Sequence, residues 1–196
     1  MSLAQMLHLL TPSPMNHRPR KSLQRGFTLA ELLAVVVIVG ILATLATIGV
    51  RKYIFAAKSS EATNMIGSIK SAEEAFRDET YAYLDVSTNI NTYYPNDVPG
   101  KVKRNWGFTS GKDYAKWMQL GAEASGPVQY GYAVVAGAAG ATPPDPGTKQ
   151  HTFNWPKTTD PWYVVKAVGD VDADGVQSIF VSSSFTNEIY SENESE

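Results

Sequence analysis

The stretch Arg25–Val50, RGFTLAELLAVVVIVGILATLATIGV, decides how this chain folds. Its last 24 residues, Phe27–Val50, form an apolar run that contains a single charge, the carboxylate of Glu31. At ~1.5 Å per residue such a run makes a helix of roughly 36 Å, enough to cross the ~30 Å hydrocarbon core of a bilayer. Because a carboxylate is costly to bury in lipid, Glu31 needs a partner. The stretch therefore predicts a membrane helix with one polar site near its start.

Charge is divided unevenly on either side of this run. Residues 1–26 contain no acidic side chain and four basic ones, which are Arg18, Arg20, Lys21 and Arg25. The remaining chain has 13 Lys and Arg against 19 Asp and Glu, a net charge of −6. Since basic flanks stay in the cytoplasm, the sequence predicts a single-pass inner-membrane protein with its C-terminal domain outside the cytoplasm. An acidic exterior domain argues against nucleic acid as the main partner.

Residues 1–26 have no sustained periodicity, and we interpret them as a leader peptide. Met1 and Met15 are both candidate starts, and composition does not decide between them. The run after the leader is longer than the ~7–15 apolar residues of an ordinary secretory signal, and no A-x-A-like cleavage site follows it. A plain signal anchor explains the length and the flanking charge, but it explains neither the Gly26-Phe27 junction nor Glu31.

The segment RGFTLAELLAVVVIVGIL resembles the class III signal of type IV prepilins and of type II secretion pseudopilins. This resemblance implies that a prepilin peptidase cuts between Gly26 and Phe27 and N-methylates Phe27. Glu31 would then be fifth in the mature chain, where pairing with the amine of a neighbouring subunit would neutralise two charges in a low-dielectric bundle. The competing interpretation is that Glu31 reaches the lipid headgroups from the helix end.

One position departs from the family pattern. Many type IV pilins have a proline where this chain has Ile48, and at that proline the helix can kink or melt in the filament. Here Ile48 is followed by Gly49, which weakens a helix but does not remove a hydrogen bond as proline does. Whether the helix melts near these two residues is therefore left open by the sequence.

The helical pattern continues beyond the membrane, because apolar residues recur at spacings of three and four. We predict one helix from about Thr28 to about Glu79, whose second half packs one stripe against a globular domain. This stripe, which we interpret as core without ligand-type residues, consists of Ala62, Met65, Ile66, Ile69, Ala72 and Phe76.

Residues beyond the helix predict a polar loop, a short helix at 112–121 ended by Gly121, and three or four antiparallel strands. The predicted strands lie at 128–136, 161–169 and 177–185, with a short edge strand at 151–155 and a fraying acidic tail after 186. The predicted fold is α+β, with a long N-terminal α-helix packed on a small antiparallel β-sheet; the resemblance implies the ladle shape of type IV pilins. The predicted divisions are a leader (1–26), a transmembrane or filament-core helix (27–50), an amphipathic helix (51–80), an αβ-loop region (81–126), a sheet (127–186) and an acidic tail (187–196).

Three aspartates suggest a metal site between the last two predicted strands. Asp170, Asp172 and Asp174 precede Gly175 in the pattern D-x-D-x-D-G, which can converge on calcium. The twelfth position of an EF-hand loop is here Val181 rather than glutamate, so this is not an EF-hand. The alternative is a hairpin turn that uses Asp and Gly for backbone reasons. Calcium is the one cofactor that the sequence suggests, and none is required by the predicted role.

Two other kinds of site are weakly supported. A basic–aromatic cluster of Lys101, Lys103 and Arg104 beside Trp106 could contact nucleic acid, but a solvated loop with a buried tryptophan is the favoured interpretation. An enzyme is not predicted, because the chain has no cysteine and its histidines are scattered. They are His8, His17 and His151.

The resemblance therefore implies a structural filament subunit, a major or minor pilin that serves adhesion or twitching motility. Its expected partners are other pilin subunits in a homo- or hetero-polymer, prepilin peptidase, the pilus assembly machinery and the membrane. The destination would be a cell-surface pilus or a periplasmic pseudopilus. A type II secretion pseudopilin and a membrane-anchored binding module that does not polymerise are the two alternatives.

Overall fold

The structure is a computed structural model that describes residues 26–194. Its helices are α1 (Leu29–Thr80) and α2 (Tyr114–Leu120), and its strands are β1 (Gly131–Gly137), β2 (Trp162–Gly169), β3 (Ser178–Ser183) and β4 (Thr186–Glu192). The chain divides into two compact units, one ending at Thr44 and the other beginning at Leu45. Of the predicted leader only Gly26 is described, so Met1, Met15, His8 and His17 lie outside the described residues.

In the first unit, every described residue from 26 to 44 is exposed. The exposed fractions of Leu32, Val36 and Leu42 are 56%, 66% and 59%, respectively. By length and composition α1 could cross a membrane, and its most apolar window has no buried residue. Nothing among the described residues covers these apolar side chains.

The predicted single helix is confirmed, because α1 extends from Leu29 to Thr80. It passes Ile48 and Gly49 without a break in this single chain. Tyr81, which follows the last helical residue, has a φ of 60°. A backbone in this left-handed region cannot continue the helix, so α1 ends there.

In the second unit, α1 buries one face against the sheet. Ala62, Ile66 and Ile69 have no exposed surface, and Met65 is 5% exposed. Ala72 and Phe76, at the end of the predicted stripe, are only partly buried. The stripe is therefore confirmed in its centre, where burial of each large side chain contributes roughly 1.5–3 kcal/mol.

The sheet is an antiparallel meander with the strand order β1-β2-β3-β4. The segment after α1 covers the free edge of β1, since Ser87 N–H donates to Val134 O at 2.7 Å and Tyr94 exchanges two hydrogen bonds with Tyr132. The predicted short helix is confirmed as α2, and Gly121 follows it with a φ of 74°. Its N–H donates to Trp117 O, a helix ending for which glycine is well suited.

Side chains of the sheet alternate between two hydrophobic clusters. Tyr163, Val165 and Phe180 point into a cluster with the buried face of α1. Val164 and Val181 point into a second cluster, which includes Trp162. The second cluster therefore lies on the face of the sheet turned away from α1, under the connector that joins β1 to β2.

One strand prediction and the prediction of the C-terminal tail were wrong. Residues 151–155 form no strand, and their aromatic rings instead pack over the second cluster. Residues 186–192, predicted to begin a fraying acidic tail, form the fourth strand, which pairs with β3 from Ser183↔Thr186 to Ile179↔Glu192. Strand β4 packs Ile189 against the core, and its buried Glu192, 2% exposed, accepts backbone N–H bonds from the connector that compensate its burial.

Two side chains of α1 tie the helix to the sheet region. The Oε1 of Glu61 accepts the N–H of Gln129 at 2.6 Å, just before β1. The Nζ of Lys70 donates to Thr186 O at 2.8 Å and to Ser182 Oγ at 3.0 Å, at the turn between β3 and β4. These charge-assisted bonds fix where the sheet sits on the second half of the helix.

Candidate functional site

The start of α1 holds its one carboxylate in a local hydrogen-bonded ring. Thr28 donates to Glu31 Oε2 twice, from its N–H at 2.8 Å and from its hydroxyl at 2.9 Å. In return, Glu31 N–H donates to Thr28 Oγ1 at 3.2 Å. This is a capping box, in which the N-cap side chain and the N3 side chain each satisfy a backbone donor at the helix end.

The capping box leaves half of the carboxylate available. Glu31 Oε2 accepts both bonds from Thr28, whereas Glu31 Oε1 has no hydrogen-bond partner among the described residues. Our sequence interpretation considered a neighbouring subunit and the lipid headgroups as partners of Glu31, and it did not consider a partner in the same chain. The pattern T-x-x-E was the signal that could have revealed the local one.

The predicted processing site lies immediately before this ring. Gly26 and Phe27 are both exposed, and the side chain of Phe27 is 81% exposed. They precede the first helical residue, Leu29, so the Gly26–Phe27 bond lies outside the helix. Accessibility of this kind is needed for cleavage, while cleavage and N-methylation themselves stay predictions.

The three aspartates of the predicted metal site converge at the turn between β2 and β3. One carboxylate oxygen from each of Asp170, Asp172 and Asp174 lies within 4.8 Å of the others. Two of them also serve the backbone, because Asp170 Oδ2 accepts from Gly175 N–H at 3.2 Å and Asp174 Oδ1 from Val176 N–H at 2.7 Å. Asp170 Oδ1 is buried without a hydrogen-bond partner among the described residues. The geometry is compatible both with a calcium loop and with an Asp–Gly turn.

The basic–aromatic cluster has its basic side chains on the surface and its tryptophan in the core. Trp106 is 4% exposed and packs edge-on against Tyr94 and Trp117 in the core. Lys103 pairs with Glu61 at 3.7 Å, and Arg104 lies over the ring of Phe108. Because the tryptophan cannot stack on a base, the favoured interpretation, a solvated loop with a buried tryptophan, agrees with the structure.

Two buried carboxylates were missed by the sequence interpretation. Glu73 lies on the core stripe of α1 with no exposed surface; Leu84 N–H donates to its Oε2 at 2.9 Å and its Oε1 has no partner among the described residues. Burial is the main cause that raises the pKa of Glu73 to about 8, against the hydrogen bond from Leu84. Glu192 instead accepts backbone N–H bonds from Lys149 at 2.9 Å and from Gln150 at 3.1 Å.

Comparison with known proteins agrees with the motif at the start of α1. Residues 21–47 match the family model described as the prokaryotic N-terminal methylation motif. With the long apolar helix on a small antiparallel sheet, this match supports a type IV pilin-like family for the chain. The chain is similar to fimbrial protein EcpC of Eikenella corrodens, with 36% identity over 84 residues.

That similarity covers 40% of this chain and 55% of the relative. The chain therefore spans little more than half the length of the fimbrial protein that it matches. No solved structure matches the chain at a significant level. Class and fold are accordingly supported by the N-terminal motif, the similarity and the architecture together.

Proposed function

We propose that this chain is a structural subunit of a type IV pilus, polymerised through the first part of α1. The observation that carries the proposal is the exposure of every residue from 26 to 50, an apolar surface that nothing in the described chain covers. Exposed apolar surface of this extent needs lipid or other helices around it. Bilayer and filament would supply these environments in turn.

The carboxylate of Glu31 would hold the subunits in register. Its free Oε1 is the atom that would accept the ammonium group of a neighbouring chain, while Oε2 stays bonded to Thr28. An ion pair in a low-dielectric bundle is strongly favoured over an isolated buried charge. Such a contact repeats without closing, as a helical filament requires.

Processing would prepare the subunit for this contact. We propose that prepilin peptidase cuts between Gly26 and Phe27 and N-methylates Phe27, as the methylation motif over residues 21–47 suggests. The basic leader would hold the N-terminus in the cytoplasm, so the domain after α1 would lie outside the inner membrane until assembly. The proposed role is structural and requires no catalysis.

The similarity to a fimbrial protein favours a pilus over a secretion pseudopilus. The proposed role of this pilus is adhesion or motility. A specific observation keeps the pseudopilin as the second candidate, because three carboxylate oxygens lie within 4.8 Å at the turn between β2 and β3 and some pseudopilins bind calcium in this region. Deletion of the gene distinguishes a pilin from a pseudopilin. Loss of surface filaments indicates a pilin, whereas loss of protein secretion with intact filaments indicates a pseudopilin.

Replacing the filament-register carboxylate tests the proposal most directly. Glu31→Ala should abolish incorporation into sheared surface filaments, whereas Glu79→Ala, at an exposed position of the same helix, should assemble like the wild type. Mass spectrometry of the assembled wild type should find a methylated N-terminus at Phe27. Normal assembly of Glu31→Ala would show that the ion pair is not needed, and a wild-type chain that never enters filaments would indicate a membrane-anchored binding module.

Calcium in the aspartate loop stays a prediction. If the loop binds calcium, millimolar calcium raises the midpoint of thermal unfolding relative to chelator, because a ligand that binds only the folded state stabilises it. Asp172→Asn should remove this shift and Asp160→Asn, an exposed aspartate outside the loop, should keep it. An identical midpoint with calcium and with chelator would identify the loop as a backbone turn.

A further inference from the structure

An open groove of about 600 Å³ lies on the face of the sheet turned away from α1. Its walls are residues 151 and 153–156 of the connector and residues 181–183, 185–186 and 188–191 of β3, β4 and their turn. The connector is held there because Glu192 binds the backbone N–H groups of Lys149 and Gln150. Within the connector, Trp155 Nε1 donates to Pro144 O at 2.9 Å, which fixes the position of the indole. The groove is thus built by the same side chains that fold the connector.

A continuous row of aromatic rings forms the apolar part of this groove. Phe153 stacks on Trp155 with ring centroids 4.8 Å apart, and Trp155 lies 5.7 Å from the ring of Phe185. At the other end Tyr190 contacts both Phe153 and His151. Four of the five rings are half-buried and the ring of His151 is exposed, so the row presents ring surface to solvent.

Polar side chains flank the row and are free to bind. Asn154 and Glu188 are exposed, and their side chains have no hydrogen-bond partner among the described residues. The imidazole nitrogens of His151 likewise have none, although its ring packs on Phe153 and Tyr190. Among the residues that the structure describes, no lysine or arginine lines the groove. An apolar row with a few free polar groups is the usual composition of a ligand site.

The charge and the donor pattern narrow the ligand. A nucleic acid would bring phosphates to a groove with a carboxylate and no cation, which is unfavourable. A polyproline peptide offers carbonyl acceptors and few donors, whereas Glu188 is an acceptor and the donor of Trp155 is already used. A quaternary ammonium ion needs a cage of separated rings, but these centroids lie only 4.7–5.7 Å apart and fill the space between them.

We propose that this groove binds a neutral oligosaccharide. The C–H face of a sugar ring packs on the electron-rich face of an aromatic ring, while its hydroxyls donate to Glu188 and exchange hydrogen bonds with Asn154. The row from Tyr190 to Phe185 accommodates successive sugar units of an extended chain. The groove belongs to the single chain, so binding requires no polymerisation and its test is independent of the proposed function.

Trp155 provides the measurement. The other three tryptophans are buried, with exposed fractions of 4% (Trp106), 0% (Trp117) and 2% (Trp162). The full chain, in a polyoxyethylene detergent that contains neither sugar nor choline, is titrated with cellohexaose, maltohexaose and N-acetylchitohexaose to about 10 mM, a range that captures weak binding. At least one of these sugars should shift the tryptophan emission, and about 0.5 M NaCl should not change the affinity, since no charge is neutralised.

Three variants locate the binding. Glu188→Gln and Asn154→Ala should each bind roughly tenfold more weakly, as expected for the loss of one good hydrogen bond. The matched control is Asn187→Ala, which removes an exposed amide from β4 that lines a different groove, beside Lys70 and Glu74. Trp155→Phe should bind by calorimetry while losing the fluorescence change, which assigns the signal to the groove.

Several outcomes would overturn the proposal. These are no binding of any of the three sugars, equal affinity in Glu188→Gln and Asn187→Ala, or tighter binding of choline chloride or a decaproline peptide than of every sugar. Unchanged thermal midpoints in Glu188→Gln and Asn154→Ala, both exposed positions, ensure that a weaker affinity reports on the groove rather than on folding.

Discussion

The two halves of α1 have the same backbone geometry and opposite surroundings. From residue 29 to 50 every side chain is exposed, although almost all are apolar. From residue 51 to 80 the helix is mostly polar, yet Ala62, Ile66 and Ile69 have no exposed surface. The first half therefore has apolar side chains that no part of the described chain covers, whereas the apolar side chains of the second half stabilise the fold of their own chain.

One glutamate in each half of α1 shows the opposite relation between burial and hydrogen bonding. Glu31 is exposed and has three hydrogen bonds to Thr28 around it. Glu73 is buried and accepts one, from Leu84, while its Oε1 is left without a partner among the described residues. A polar group that is buried and only half satisfied destabilises the fold. Glu73 therefore opposes the packing that surrounds it.

The largest effect should come from truncating matched isoleucines in the two halves. Ile66→Ala should lower the free energy of unfolding of the globular part by about 2–5 kcal/mol, because it leaves a cavity in the core. Ile38→Ala, at a position that is 57% exposed, should change it by less than about 0.5 kcal/mol. Urea unfolding followed by tryptophan fluorescence measures both. Equal losses would show that the halves do not differ in this way.

A pH effect should follow from Glu73. Because its pKa is raised to about 8 in the folded chain, folding binds a proton between the unfolded value of 4.5 and that pH. The free energy of unfolding is highest below pH 4.5 and decreases by about 1.4 kcal/mol per pH unit up to about pH 8. At pH 7 the loss amounts to about 3 kcal/mol. Glu73→Gln should remove this slope.

The matched control for this pH effect is Glu79→Gln, an exposed carboxylate on the same half of α1. Urea titrations at pH 5, 6, 7 and 8 provide the comparison, with the values chosen to span the interval between the two pKa values. The same slope in the wild type and in Glu73→Gln would assign the pH dependence to another group.

A smaller effect is expected at the buried carboxylate that is fully partnered. Glu192→Ala should cost about 1–3 kcal/mol, since the backbone N–H groups of Lys149 and Gln150 lose their acceptor. Hydrogen exchange at these two amides should accelerate, whereas Glu123→Ala, at an exposed glutamate, should leave them unchanged. Unaltered exchange in Glu192→Ala would mean that other contacts hold the connector.

The smallest effect should be at the start of the first half. Thr28→Ala removes the capping box and should cost about 1 kcal/mol of helix stability. Faster hydrogen exchange confined to the amides of residues 29–32 would report it in detergent. Thr44→Ala, whose hydroxyl only bonds back to Ile41 O within the helix, is the control. Equal exchange in the two variants would argue that the cap contributes nothing.

Sequence patterns predicted the elements whose periodicity is strong. The 3.6-residue stripe and the absence of proline gave α1 to within one residue at each end. Short runs rich in β-branched and aromatic residues located β2 and β3, and Gly121 located the end of α2. In each case one local signal and the tertiary packing point to the same structure.

The missed features depend on contacts between distant residues. Glu73 lies on the core stripe four positions after Ile69, and there it accepts a backbone N–H from Leu84, eleven positions later in the chain. The sequence of β4 is typical of an acidic tail, and the contacts that make it a strand include the hydrogen bonds from the distant backbone N–H groups of Lys149 and Gln150 to Glu192. Aromatic residues at 151–155 are as typical of a strand as of a packed connector. The local sequence does not distinguish these two structures, because His151 and Phe153 pack against Tyr190, which belongs to β4. The capping box at the start of α1 is different, because the local pattern T-x-x-E at Thr28 and Glu31 is sufficient to predict it.

The capping box at the start of α1 also bears on how uncut copies would behave toward one another. Thr28 and Glu31 both lie after the Gly26–Phe27 bond, so cleavage of this bond would leave their hydrogen bonds intact. Before cleavage Phe27 is bonded to Gly26, so the apolar run carries a carboxylate and no ammonium group, and the nearest positive charge in the sequence is Arg25 of the leader. The cut would create an ammonium group on Phe27, four positions before Glu31 and inside the apolar run. The proposed cut would therefore supply the partner that Glu31 of a neighbouring copy needs, and it would remove Arg25 as a competing one.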